Sequence, residues 1–124
     1  MKKVLIVEDE AIVAMENKMN LTKAGFLVVG SVSSAEDALL KIAETLPDLI
    51  LMDIKLKGNL NGIDAVSIIR KNNNIPVVFL TGNSDNKTQL LMKEIPNTTY
   101  LLKPVLTNDL IASVQKMIDS QPVQ

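Results

Sequence analysis

The feature that most constrains the fold of this chain is an alternation repeated five times. A run of three or four apolar residues stands at residues 4–7, 26–29, 49–52, 77–80 and 100–102, and each run is followed by a stretch suited to a helix. Runs this short, nearly continuous in apolar character, read as strands buried on both faces. Five strand-then-helix units in one chain imply a doubly wound parallel sheet covered on both sides, a three-layer α/β/α arrangement. At 124 residues there is room for one such domain and no second. Aromatic residues are only 2% of the chain, so the core has to be built from Ile, Leu, Val, Ala and Met, which suits a parallel sheet under helices.

The intervening stretches carry helix signals. Residues 10–24 predict a first helix that Gly25 can end. Ser33-Ser34-Ala35-Glu36 has the form of a capping box. The helix it opens puts Ala35, Ala38, Leu39, Ile42, Ala43 and Leu46 on one face and stops at Pro47. A loop rich in Gly and Asn, residues 57–62, leads to a helix over 63–71, and a polar helix with a sparse apolar stripe is expected over 84–94. Thr107 is the expected N-cap of a last helix burying Leu110, Ile111, Val114, Met117 and Ile118. Met15, Met19, Met92 and Met117 read as core filler, and Ser33-Ser34 as a cap. Residues 1–119 form the domain and 120–124 a flexible tail.

Composition removes several function classes. A net charge of −1 without a basic patch argues against direct nucleic-acid binding. The absence of cysteine excludes thiolate chemistry, and the absence of histidine excludes both a phosphohistidine carrier and a histidine-rich metal site. Two lysines followed by four apolar residues and an acid are too short for a secretory signal, and no run approaches a membrane span, so a cytoplasmic location is expected.

In open α/β sheets ligand chemistry collects at the carboxyl ends of the strands. Glu8 and Asp9 follow the first strand, Asp53 the third, Thr81 the fourth and Lys103 the fifth. Each alone has a bland explanation: a solvated turn, a cap, a surface loop. Together they place three acids, a hydroxyl and an ammonium at one sheet edge. Three such acids repel unless a cation sits among them, and Mg²⁺, which takes oxygen ligands and accepts phosphate oxygens, suits the set. A carboxylate beside Mg²⁺ can attack a phosphoryl group and form an aspartyl phosphate. Lys103 would neutralise the transferring oxygens, Thr81 would donate to one of them, and Gly82 leaves the approach open.

The segments Lys2-Lys3-Val4-Leu5-Ile6-Val7-Glu8-Asp9-Glu10, Asp48-Leu49-Ile50-Leu51-Met52-Asp53, Val77-Val78-Phe79-Leu80-Thr81-Gly82 and Tyr100-Leu101-Leu102-Lys103-Pro104 together resemble the receiver domain of two-component response regulators. The resemblance covers essentially the whole chain in order and spacing. It implies a flavodoxin-like fold with strand order 2-1-3-4-5. Asp53 would accept a phosphoryl group from a histidine on a sensor kinase or phosphotransfer protein. Asp9, Asp53 and the backbone carbonyl of Lys55 would hold Mg²⁺, with Mn²⁺ as a substitute, and Glu8 would act through metal-bound water or directly. Lys103 would pair with the phosphoryl group and the Lys103-Pro104 peptide would be cis. Thr81 and Tyr100 would be the switch pair, altering the face made by the fourth helix, fifth strand and fifth helix, through which a downstream protein partner is met. Lys55, Gly82 and Asn83 would tune phosphoryl lifetime. The protein would be a monomer or a phosphorylation-dependent dimer, and not an enzyme beyond its own phosphorylation and dephosphorylation.

Departures from the family pattern are a loop after Asp53 about two residues longer than typical, Thr99 where glycine is common, and Asn17 and Asn20 within the first helix. Three other readings stand beside this one. A haloacid-dehalogenase-like phosphatase usually has a second Asp two residues after the nucleophile, where Lys55 stands here. A flavin- or nucleotide-binding domain would not present Glu8-Asp9-Glu10 to an anion. A phosphorylation-independent interaction module of the same fold needs none of the acidic set.

Overall fold

The computed structural model describes residues 1–82 and 85–122. Its elements alternate throughout: β1 (Lys3–Val7), α1 (Ala11–Lys23), β2 (Leu27–Val32), α2 (Ala35–Thr45), β3 (Leu49–Asp53), α3 (Gly62–Ile69), β4 (Val77–Thr81), α4 (Asn86–Lys93), β5 (Thr98–Leu102) and α5 (Thr107–Asp119). All strand pairs are parallel, in the order β2-β1-β3-β4-β5. This is the flavodoxin-like arrangement anticipated above.

The pleat divides the strand residues between two cores, because successive side chains point to opposite faces. Val4, Ile6, Leu49, Leu51, Val78 and Leu80 pack against α1 and α5 through Ala14, Leu21, Leu110, Val114 and Ile118. Leu5, Val7, Ile50, Met52, Val77 and Phe79 pack on the other side against α2, α3 and Met92 of α4. Residues at both parities of β1, β3 and β4 are therefore apolar, which is why these strands read as continuous runs. The edge strands β2 and β5 are only partly buried.

Several boundaries and faces differ from the sequence reading. The buried side of α1 runs through Ala14 and Leu21, so Met15 and Met19 fall on the opposite side, 64% and 55% exposed. They are surface residues and not core filler. On α2 the cap is Ser34, whose side chain accepts from Asp37 N at 3.1 Å, and Ser33 is displaced from that role by one residue. Ala43 and Leu46 are exposed there, Leu46 because it leaves the helix in a left-handed conformation at φ 48°. β2 starts one residue later than expected and continues to Val32, while Phe26 is buried ahead of it. β5 begins at Thr98. The N-cap of α5 is Leu106; Thr107 is its first residue and accepts from Asn20 Nδ2 of α1 at 3.4 Å. α3 opens on a capping box that was not anticipated, Asn61 accepting from Asp64 N at 2.8 Å and Asp64 accepting from Asn61 N at 3.3 Å. α4 is capped by Asp85, which accepts from Thr88 N at 2.7 Å; the expected start at Ser84 lies outside the described residues. Ser120 caps α5, and Gln121 exchanges side-chain hydrogen bonds with Asn97 at 2.8 and 3.1 Å.

Away from the carboxyl ends of the strands, Arg70 ties the chain together. Its guanidinium donates to the carbonyls of Ile75 at 2.7 Å and Pro96 at 3.0 Å, with longer bonds to Asn73 and Asn97 at 3.4 Å. Burial pulls its pKa downward, yet the carbonyls of the α3–β4 and α4–β5 connections compensate the charge. Arg70→Met keeps the apolar stem and removes these bonds. It should lower unfolding free energy by about 2 kcal/mol, read from urea denaturation, the value following from charged hydrogen bonds worth roughly 1.5–3 kcal/mol.

Candidate functional site

Because every strand is parallel, the ends of β1, β3, β4 and β5 open on one edge of the sheet, and the residues that follow them share it. Asp53 closes β3 and Thr81 closes β4; both are buried, at 3% and 2% exposure. Glu8, immediately after β1, is equally buried at 3% because its N–H still donates to Val32 O at 2.8 Å and continues the pairing with β2. Lys103 follows β5, held in register by its N–H bond to Thr81 O at 2.8 Å, and the Lys103-Pro104 peptide is cis.

The side chains meet. Lys103 Nζ lies 3.0 Å from Asp53 Oδ2 and 3.7 Å from Glu8 Oε1. Lys55 N donates to Asp53 Oδ1 at 3.3 Å, and Glu10 N donates to Glu8 Oε2 at 3.2 Å. A cleft of about 460 Å³ opens above Asp53 between Lys55, Gly82, Thr88 and Glu10. Tyr100 is half-buried on β5 beside Phe79 and packs against the core under α2, α3 and α4. Thr81 has the same pleat parity as Phe79 and so stands on that same side of the sheet. Of the tuning residues, Lys55 and Gly82 border the cleft, while Asn83 lies outside the described residues.

Burial pushes the Glu8 carboxyl up to about 8, helped by its contact with Asp53 and opposed by the Glu10 N–H and the Lys103 charge. Burial would lower Lys103, but its hydrogen bond and charge attraction to Asp53, with Glu8 and Glu10 adding to it, win and raise it. One ammonium thus serves a cluster of carboxylates. Glu8 Oε1 and Asp9 Oδ1 are buried without a hydrogen-bond partner. Glu8 Oε1 has the Lys103 ammonium at 3.7 Å, whereas Asp9 forms no ion pair among the described residues, and a buried oxygen of that kind is costly in a low-dielectric setting unless a cation takes it up. Oxygen-only donors with orphaned carboxylate atoms fit Mg²⁺.

Two groupings of acids offer themselves. Carboxylate oxygens of Glu8, Asp9 and Glu10 lie within 4.8 Å of one another, whereas Asp53 is drawn to Lys103. Glu10 is exposed, Asp9 carries a buried oxygen without a hydrogen-bond partner, and both Asp53 oxygens are already held by Lys55 N and Lys103. Glu10 was nonetheless overlooked as a residue of the cleft; its signal was the third acid in the run after β1.

The raised Glu8 pKa has a consequence for stability. Between about pH 4.5 and 8 the native state holds a proton that the unfolded chain has released, so the Glu8 contribution falls as pH rises through that window. In chelator, the urea midpoint of wild type should drop from pH 5.5 to 8.5 more than that of Glu8→Gln. Added Mg²⁺ should raise the wild-type midpoint more at the higher pH.

Comparison with known proteins agrees with this geometry. The family model for the response regulator receiver domain matches residues 4–115. The chain belongs to that family. Among curated relatives it is 31% identical over 128 residues to the DNA-binding response regulator MtrA of Mycolicibacterium paratuberculosis, covering 99% of this chain and 55% of that protein. It is 34% identical over 115 residues to the transcriptional regulatory protein PdtaR of Mycobacterium tuberculosis, covering 92% and 55%. This receiver chain therefore spans about half the length of the curated relatives it matches. A solved structure of a response regulator from Chloroflexus aurantiacus superposes with TM-score 0.87 at 28% identity, covering 95% of this chain and 98% of that one. The signal receiver domain of a modulated diguanylate cyclase from Desulfovibrio desulfuricans gives TM-score 0.87 at 31% identity, covering 96% and 94%. Accepting a phosphoryl group is the general function of such domains, which are signalling domains. No helix among the described residues is long and apolar enough to cross a membrane.

Proposed function

We propose that Asp53 accepts a phosphoryl group from a histidine of a partner kinase or phosphotransfer protein. The observation that carries this reading is a buried Asp53 carboxylate held by Lys103 at 3.0 Å, with the buried Glu8 carboxyl 3.7 Å from the same ammonium, at the floor of an open cleft. An Asp53 oxygen attacks phosphorus; the P–O bond forms as the P–N bond to the donor imidazole breaks, and the imidazole leaves with that electron pair. This sequence has no histidine, so the donor histidine lies outside it.

Lys103 moves its ammonium from the carboxylate to the transferred phosphoryl oxygens, and Lys55 N–H keeps the acceptor oriented. Thr81 donates to a phosphoryl oxygen, and Tyr100 follows it inward. The α4-β5-α5 face thereby changes for a downstream protein partner, as a monomer or a phosphorylation-dependent dimer. Asp9, Asp53 and the Lys55 carbonyl would hold Mg²⁺ or Mn²⁺, with Glu8 behind them, and the ion supplies charge neutralisation of the phosphoryl group. Residues 1–119 constitute the working domain, and the setting is cytoplasmic. Lys55, Gly82 and Asn83 set phosphoryl lifetime.

Incubation with phosphoramidate and Mg²⁺, followed by intact mass, tests the reading. One phosphoryl increment is expected, absent in Asp53→Asn and under chelation. No increment under conditions that modify another receiver would favour the interaction-module reading.

A further inference from the structure

The β3–α3 connection, residues 54–61, is tied across to the turn between β2 and α2. β2 and β3 flank β1; β1 and β2 end level at the Val7–Val32 pair, and β3 runs one residue further to Asp53. Beyond the end of β1 the continuations of the two flanking strands meet directly. Ser34 and Lys57 form a parallel bridge, and Lys57 N donates to Ser33 O at 3.1 Å. The two chains close over the point where Glu8 and Asp9 emerge.

The loop is held at other points as well. Its base is closed by Gly62 N donating to Ile54 O at 2.7 Å, and Ile54 N donates to Leu80 O at 3.2 Å. Ile54, Leu56 and Leu60 pack on the core beneath α2 and α3. At the tip, Gly58 adopts φ +91°, and a β-carbon there would sit 3.1 Å from Glu36 Oε2 of α2. Lys55 lies between the closed base and the bridge, with its N–H on Asp53 Oδ1.

We propose that the backbone bridge from Lys57 to Ser33 is a positioning device for the acceptor site, fixing Lys55 so that its N–H and carbonyl face Asp53. This rests on the phosphoacceptor reading and deepens it by making the β2–α2 turn part of the site. The Lys57 side chain is exposed and forms no ion pair among the described residues, so the working group is its N–H and not its ammonium. Parallel pairing of this kind removes backbone freedom from a loop that would otherwise have to be ordered when Mg²⁺ binds.

Two variants separate the parts. Lys57→Pro deletes the N–H donor, and Lys57→Ala retains it. Gly58→Ala attacks the same tie through the left-handed position. Mg²⁺ titration by calorimetry should show about tenfold weaker binding for Lys57→Pro and for Gly58→Ala, and wild-type binding for Lys57→Ala, in line with the effect of supporting shells on metal sites. Hydrogen exchange of residues 55–61 should rise in Lys57→Pro and Gly58→Ala only. Phosphorylation by phosphoramidate should slow at limiting Mg²⁺ and recover when Mg²⁺ is saturating, a split that a general loss of stability does not produce.

Wild-type Mg²⁺ affinity in both Lys57→Pro and Gly58→Ala, with only the unfolding midpoint lowered, would overturn the proposal. So would a loss in Lys57→Ala as large as in Lys57→Pro, which would assign the effect to the ammonium. A wild-type protein that takes up neither Mg²⁺ nor phosphoryl would sink the proposed function and this inference together.

Discussion

Gly62→Ala should destabilise the domain by about 3 kcal/mol, the upper range for forcing a methyl group into a closed site, and should abolish measurable phosphorylation. A β-carbon on Gly62 would overlap the Asp53 carbonyl oxygen and stand 2.9 Å from Ile54 Cα. Both obstacles are backbone, so no side-chain rotation can relieve them. Gly62 also donates to Ile54 O, and α3 starts at this residue. Relief therefore requires either withdrawing α3 from its buried contacts at Ile63, Ala65 and Val66 or bending the chain at Asp53 itself. The first route costs stability and the second displaces the acceptor. Urea denaturation reads one and intact mass the other. A variant as stable as wild type, and phosphorylated at its rate, would show that the close approach is not needed.

Lys103→Met should slow phosphoryl transfer about 100-fold, the typical loss when one donor aimed at developing charge is removed. Methionine preserves much of the stem and its packing, so the change isolates the ammonium. In the resting protein that ammonium faces Asp53 at 3.0 Å and Glu8 at 3.7 Å. Without it the buried carboxylates lose their cation, and stability in chelator falls. Mg²⁺ should restore much of that stability without restoring the rate, because the ion can balance the resting charge but cannot stand where Lys103 meets the phosphoryl oxygens. Single-turnover phosphorylation followed by mass, beside unfolding curves with and without Mg²⁺, separates the two effects. Rates within a factor of three of wild type would remove Lys103 from the chemistry.

The fold was legible because β1, β3 and β4 are buried on both faces, which leaves an unbroken apolar run in the sequence. Where burial is one-sided the reading was poorer. β2 at the edge carries Gly30 and Ser31, and its length was underestimated. On α1 the inward line contains Asn17 between Ala14 and Leu21, so Met15 and Met19 were the more apolar candidates for the core although the helix turns them outward. Glu8, Asp53, Thr81 and Lys103 were legible because each stands at or just past the carboxyl end of a strand, a position that parallel topology converts into proximity.

Gly62 was read only as a loop residue. The collision that makes it indispensable is with backbone eight or nine residues earlier, and no local pattern reports a contact of that kind. The bridge from Lys57 to Ser33 was invisible for the same reason, since neither residue lies in an apolar run and the pairing joins two connections far apart in sequence.

The central claim, that Asp53 is the acceptor, is tested most directly by borohydride reduction after phosphorylation. An acyl phosphate on aspartate is reduced to homoserine, which marks the acceptor permanently in the peptide map. The account predicts homoserine at position 53 alone, dependent on Mg²⁺ and on the phosphodonor. Homoserine at position 9 in its place, or a phosphoryl group that survives reduction on a hydroxyl side chain, would contradict it.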